Sequence, residues 1–280
     1  MIETIFDTLN AKAGIFAYEE YFEETKQPKL QLMISGTIID KAGRTLTGQN
    51  TEAFYISLMH AKPFCIGLNC ALGPEALFPF LERLSNISDT YVHAYPNAGL
   101  PNAMKGYDET PQSYCQKLEM FAKNGLINMV GGCCGSTPEY IRLIVDAMKN
   151  YERREIKHKN KKMMLSGWEE FIFRENLNFV NIGERCNIAG SLQFKKLIKE
   201  NKLDEAVKVA ENQVENGAQL IDFNFDDALI DGKNMMTKII RMCSSEEKVA
   251  KLPFVLDSSK FEIIELGLKV YISFKIELSG

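Results

Sequence analysis

The sequence predicts an α/β fold in two units, each a parallel sheet flanked by helices. Three observations predict it. Short apolar, strand-like runs alternate with helical patterns along most of the chain, which is the signature of βα units. A basic stretch without apolar periodicity interrupts the alternation, which then restarts. Several strand runs end in Gly, Asn or Cys, residues suited to loops at the C-terminal ends of strands, where α/β barrels hold their sites.

The elements follow in order. IETIFDTLNAK, near the N-terminus, reads as a strand end running into a helix. LQLMISG (30–36), FCIGLNC (64–70), TYVHAYP (90–96) and INMVGGC (127–133) read as strands. Helical patterns lie between them, over 52–61, 76–84 and 114–125, the last closing on Gly125. Seven Lys or Arg fall between Lys149 and Lys162, and residues 151–176 read as a charged, solvated linker. The second unit opens on a strand at FVNIG (179–183). Helices are expected over 191–199 and 204–218, with Asp204 as N-cap and Gly217 near the C-cap. QLIDFNF (219–225) and PFVLDSS (253–259) are strands, with a helix from Lys233 to Cys243 between them. The first unit thus offers four or five βα units and the second three. A βα barrel closes with eight strands, so these are either small open sheets or part of a larger chain.

Composition removes several classes. Of 280 residues, 45% are hydrophobic and 25% charged, which excludes a disordered chain. The net charge of −4 implies no nucleic-acid partner. No apolar run approaches the roughly 18 residues of a membrane span, so no membrane association is expected. The acidic and polar N-terminus does not resemble a signal peptide. Seven cysteines, an odd number without a small-scaffold pattern, fit a reducing and hence cytoplasmic compartment.

The run VGGCCGSTPE (130–139) carries the densest chemistry. Cys133 and Cys134 follow an apolar strand, and Thr137 and Pro138 are suited to the N-cap and first position of a helix. Amide dipoles at such a helix start favour thiolates. Cys70, in GLNCALGP, also ends a strand. Three thiolates from two strand ends could hold one zinc ion and leave a fourth position open. Equally, a free cysteine is often a small buried hydrophobe, and this spacing is not a local zinc-finger pattern. On the residues alone both readings stand. Cys65, Cys115 and Cys243 lie within strand or helix patterns and read as core, while Cys186, at a strand end, fits either class. His60 and His93 read as ordinary, and His158 falls in the linker.

GLNCALGP, HAYPNAGLPN and MVGGCCGSTPEYI resemble the homocysteine-binding module of the cobalamin-dependent methionine synthase family. The Cys…GGCCG signature is shared by other homocysteine methyltransferases, including betaine-dependent ones. FVNIGERCNIAGSLQFKKLI, NGAQLIDFNFDDALIDG and PFVLDSSKFEIIELGLK resemble the pterin-binding barrel of the same family, which the betaine-dependent enzymes lack. The resemblance runs from near residue 1 to about Lys269, after which VYISFKIELSG departs from the pattern.

The resemblance implies two incomplete (β/α)8 TIM-type barrels. Residues 1–150 would be the C-terminal part of a homocysteine and zinc barrel, and 177–280 the N-terminal part of a pterin barrel with an atypical tail from about 270. Cys70, Cys133 and Cys134 would ligate Zn2+, with homocysteine sulfur in the fourth position. Glu3 would help hold the amino acid, or simply cap a strand end. Asp257 is the first choice to accept donors from the flat, amidine-like edge of the pterin. Asp222 and Asn224 would serve the remaining ring groups, with Asn187, Gly190, Ser191 and Leu192 in the approaching loop. For Asp222 and Asp257 the competing reading is a helix cap, and Glu184 and Arg185 read as a surface pair or as support. The implied reaction moves a methyl group from 5-methyltetrahydrofolate through cobalamin to zinc-activated homocysteine, giving methionine and tetrahydrofolate. Methylcobalamin would be bound by modules not found in this sequence, and the isolated segment is expected to be inactive. The alternatives are a truncated, non-catalytic zinc- or folate-binding product, or a cobalamin-independent, betaine-type methyltransferase.

Overall fold

The computed structural model describes residues 1–99, 109–156 and 162–271. The chain divides into two compact units, Met1–Lys161 and Lys162–Gly280. Among the described residues no helix is long and apolar enough to cross a membrane.

In the first unit β1 (Ile2–Ile5), β2 (Met33–Gly36), β3 (Cys65–Asn69), β4 (Tyr91–Tyr95) and β5 (Met129–Val130) form a parallel sheet in chain order. Helices α1 (Thr8–Thr25), α2 (Thr51–Leu58), α3 (Pro74–Ile87), α4 (Pro111–Lys123) and α5 (Pro138–Met148) follow the strands in turn. Ile34, Ile66 and Val92 align across β2, β3 and β4 and are fully buried. The alternate row is Ser35, Gly67 and His93. The two-residue period therefore puts an apolar and a polar set on opposite faces of one buried sheet. Gly67 makes room for the His93 ring, because a Cβ there would lie 2.4 Å from His93 Cδ2. His93 Nδ1 lies 3.2 Å from Cys65 Sγ, and burial holds both groups uncharged, lowering the imidazole to about 4 and raising the thiol to about 12.

Helix starts are set locally. Asp7 caps α1 through Leu9 N, Asn50 caps α2 through Ala53 N, and Thr110 caps α4 through Ser113 N. Thr137 occupies the N-cap position of α5 but its side chain makes no cap bond; Pro138 supplies the start. The strand expected over 127–133 is only two residues long, because the glycines after Val130 leave the ladder and turn toward the cysteines.

In the second unit β8 (Ile182–Asn187), β9 (Leu220–Asn224) and β10 (Phe254–Asp257) form a parallel sheet in the order β10-β9-β8. They are preceded by an antiparallel hairpin, β6 (Met164–Ser166) and β7 (Glu170–Ile172). The connecting helices are α6 (Leu192–Lys199), α7 (Leu203–Glu215), α8 (Gly232–Ser245) and α9 (Glu247–Ala250), and α10 (Phe261–Val270) follows the last strand. Lys202, not Asp204, is the N-cap residue of α7; Asp204 sits inside the first turn, where a carboxylate still meets the positive end of the helix. The core gathers Phe194, Phe223, Phe225, Met236, Ile240 and Phe254. Each such side chain contributes about 1.5–3 kcal/mol by leaving water.

The stretch expected to be a solvated linker holds structure at both ends. Arg154 is buried and donates to the carbonyls of Ser85, Ser88 and Thr90 and to Ser85 Oγ. The hairpin docks through Trp168 N on Ala250 O and through Tyr271 Oη on Ser166 O. Tyr271 also accepts from Phe254 N and stacks on that ring at 4.7 Å. His158 and the tail beyond Tyr271 lie outside the described residues.

Candidate functional site

The first cluster forms where β3 and β5 end. Cys70 and Ala71 have φ of +51° and +47°, a left-handed pair without glycine, which turns the chain sharply after Asn69. Asn69 holds this corner: its Oδ1 accepts from Thr4 N and Ser35 Oγ, and its Nδ2 donates to Thr4 Oγ1. Cys70 N donates to Tyr95 O at 2.8 Å. Across the sheet, Cys133 N donates to Pro96 O at 3.1 Å and Cys134 O accepts from Ala98 N at 2.8 Å.

The glycines of VGGCCG now have reasons. A Cβ at Gly132 would lie 2.4 Å from Ser136 Oγ, whose hydroxyl donates to Cys133 O. Gly135 has φ of +81°, a conformation that only glycine adopts freely.

The three sulfurs of Cys70, Cys133 and Cys134 lie within 4.8 Å of one another, and those of Cys70 and Cys134 are 3.2 Å apart. Sulfurs about 2.3 Å from a tetrahedral zinc ion sit about 3.8 Å apart, so the donor set fits such an ion. Cys134 is exposed and the other two are half-buried, which leaves an approach for a fourth ligand. Burial opposes charge on Cys70, but hydrogen bonds from the Cys134 and Cys133 thiols hold it below the ordinary thiol range. Burial pushes Cys133 up to about 12, and the bond to Cys70 raises Cys134. Cys70 is thus the most acidic of the three thiols.

Glu3, on β1, is exposed. Its charge reaches Tyr95: burial raises that phenol first, and Cys65 and Glu3 add to it.

The second cluster lies at the C-terminal ends of β8, β9 and β10. Asn187, Asn224 and Asp257 are register partners across the three strands, and Asp222 is two residues back on the same face. Asn224 Nδ2 donates to Asp257 Oδ2 at 2.8 Å, and Asn224 Oδ1 accepts from Asp226 N. Asp226 then takes Ser258 Oγ and Ser259 N, tying the two following loops together. Burial raises the Asp222 carboxyl to about 6, with Asp257 and Glu184 adding to it. Neither Asp222 nor Asp257 caps a helix: Asp231 occupies the N-cap of α8 and Lys260 that of α10. Asn187 Oδ1 accepts from Ala189 N and Gly190 N, and Ser191 Oγ caps α6 through Phe194 N. Leu192 is 87% exposed, so it shapes the rim rather than the core.

Sequence reasoning missed Asp226, which only the loop closure reveals. It also left Cys186 open; the thiol is buried and accepts from Gln213 Nε2 at 3.3 Å. The same Gln213 bonds Arg185 N inside the β8 bulge.

A thiol cluster that could hold a metal ion, above one parallel sheet, and a carboxylate–amide cluster above another define an α/β protein with two candidate sites. The chain belongs to the homocysteine S-methyltransferase family, whose model matches residues 1–148. Residues 183–275 match the pterin-binding enzyme family, a TIM-barrel type. The order of the two is the layout of the first modules of methionine synthase. Together the families support a methyl-transfer role with homocysteine and a folate-type substrate. Among solved structures, the carboxyl transferase domain of pyruvate carboxylase from Rhizobium etli, with 3-bromopyruvate, aligns over 90% of this chain at 13% identity and a TM-score of 0.28. The chain spans 40% of that structure's length, and a likeness this slight carries no argument.

Proposed function

We propose that this chain is the homocysteine- and folate-binding segment of a cobalamin-dependent methionine synthase, built as parts of two (β/α)8 barrels over 1–150 and 177–280 with a linker between. The observation that carries the reading is the convergence of Cys70, Cys133 and Cys134 on one point beside a sheet of the homocysteine methyltransferase family. These three would hold Zn2+. When bound, zinc lowers the pKa of a coordinated thiol, so that homocysteine meets the methyl donor as a thiolate at neutral pH.

The chain's own residues do the rest. Exposed Cys134 leaves the thiol of homocysteine a path, and Glu3 attracts its ammonium group. Asp257 accepts from the amidine-like edge of 5-methyltetrahydrofolate, with Asn224 fixing the carboxylate. Asp222, raised to about 6, keeps its proton in a fraction of molecules at neutral pH, so it can donate to the ring as well as accept. Asn187, Gly190, Ser191 and Leu192 form the loop beside the ring. Methylcobalamin, the carrier between the two sites, would come from a further module of a longer cytoplasmic polypeptide.

The alternative reading is a chain that binds zinc and folate without turnover. A cobalamin-independent, betaine-type enzyme is disfavoured by the pterin-binding match. The test is metal content and ligand binding in the purified chain. One zinc per chain, lost in Cys133→Ala, together with folate binding lost in Asp257→Asn, is the expected result. Metal content unchanged in Cys133→Ala sinks the zinc assignment.

A further inference from the structure

We propose that Tyr114 is a positioning residue for the three-cysteine cluster, its hydroxyl fixing the backbone segment that joins the two cysteine loops. The inference rests on the proposed function only in taking zinc as the natural ligand of the cluster.

Tyr114 lies in the first turn of α4, fully buried, on an element that supplies no ligand. Its Oη is 2.7 Å from Pro96 O and 3.4 Å from Gly131 O. One phenol proton serves mainly the nearer carbonyl. That carbonyl also takes Cys133 N. The neighbouring Tyr95 O takes Cys70 N, Asn97 N gives to Leu72 O, and Ala98 N gives to Cys134 O. Residues 95–98 are therefore a rail to which both cysteine loops are bonded.

Proline has no N–H of its own to tie the rail down. The phenol holds it from the helix side, at the point where Cys133 also attaches. The second contact, to Gly131, reaches the strand end two residues before Cys133. The ring is oriented by Tyr140, packed edge-on at 5.4 Å. A buried hydroxyl is costly unless bonded, so a purely space-filling role would be met better by phenylalanine. Metal ligands held by such outer contacts lose about 10–100-fold in affinity when those contacts are removed.

The test compares the full chain with Tyr114→Phe and with Tyr140→Phe, which loses a neighbouring hydroxyl bonded to Glu109 O instead. Two readouts are taken. Zinc affinity is measured against a chromophoric chelator. In the metal-free chain, phenylarsine oxide is titrated; it bridges two neighbouring thiols, forming two As–S bonds and releasing its oxygen with both thiol protons as water. Tyr114→Phe is expected to weaken zinc binding about 10-fold and to weaken arsenical bridging with it. Tyr140→Phe is expected to leave both at the wild-type value while lowering the unfolding midpoint to a similar extent.

Equal zinc and arsenical affinities in Tyr114→Phe and wild type overturn the proposal. So does an equal loss in Tyr140→Phe, or a Tyr114→Phe chain that does not fold, since the hydroxyl would then serve the core as a whole. If the wild-type chain binds the arsenical but no zinc, the zinc reading fails, and Tyr114 is decided by arsenical bridging alone.

Discussion

Single residues decide both clusters. Gly132 is the clearest case, because any side chain there meets Ser136. Gly132→Ala is expected to cost about 1–3 kcal/mol through forced movement of the loop, and to weaken zinc binding at least as much as loss of the Tyr114 hydroxyl. Chelator competition checks it, and wild-type affinity in the variant would show that the loop yields freely. Asp222 sets a pH dependence. Its folded carboxyl titrates near 6, above the ordinary unfolded value of about 3.9, so the folded state holds the proton more tightly. Asp222 therefore contributes stability to the second unit that is present at about pH 4 and is lost as pH rises through about 6. Asp222→Asn is expected to flatten this slope and to stabilise the unit at neutral pH by on the order of 1 kcal/mol. Urea midpoints at the two pH values are the measurement, and an unchanged slope would falsify the buried, proton-holding Asp222.

At the scale of elements, the connection between the units is not the featureless basic stretch that its composition implies. Arg154 reaches back to close the C-terminal end of α3, answering carbonyls that a helix end leaves bare. Arg154→Ala is expected to destabilise the first unit by about 2–4 kcal/mol, since several buried acceptors lose their donor. Lysine should not rescue it, because one ammonium cannot reproduce the guanidinium fork. Urea unfolding of both variants decides this; a midpoint within error of wild type would mean that the carbonyls find water. The hairpin β6–β7 was equally hidden. Its strands are three residues each, too short for periodicity to register, and its anchor Tyr271 is a hundred residues away in sequence. The long strands and amphipathic helices were legible because their two- and 3.6-residue periods are local.

For the whole molecule, two units with separate cores should respond separately to ligands. Zinc at about 100 times its Kd should raise the stability of the first unit by about 2.7 kcal/mol, and a folate at the same saturation that of the second. Scanning calorimetry with each ligand alone tests this. A single transition shifted equally by either one would show that the units unfold together and that the two sites are energetically joined.

The sequence by itself determined the alternation of strands and helices and the parallel sheets, and it offered as candidates the six residues on which the two clusters centre: Cys70, Cys133, Cys134, Asp222, Asn224 and Asp257. These follow from local periodicity, from strand-end residue types and from the resemblance to a family. Only the tertiary structure decided what holds those residues. The rail at 95–98, the Tyr114 hydroxyl, the Asp226 loop tie and the Arg154 clamp join residues far apart in the chain. Nothing in their local sequence marks them, because a hydrogen bond to a distant carbonyl leaves no period and needs only a donor brought to the right place by the fold.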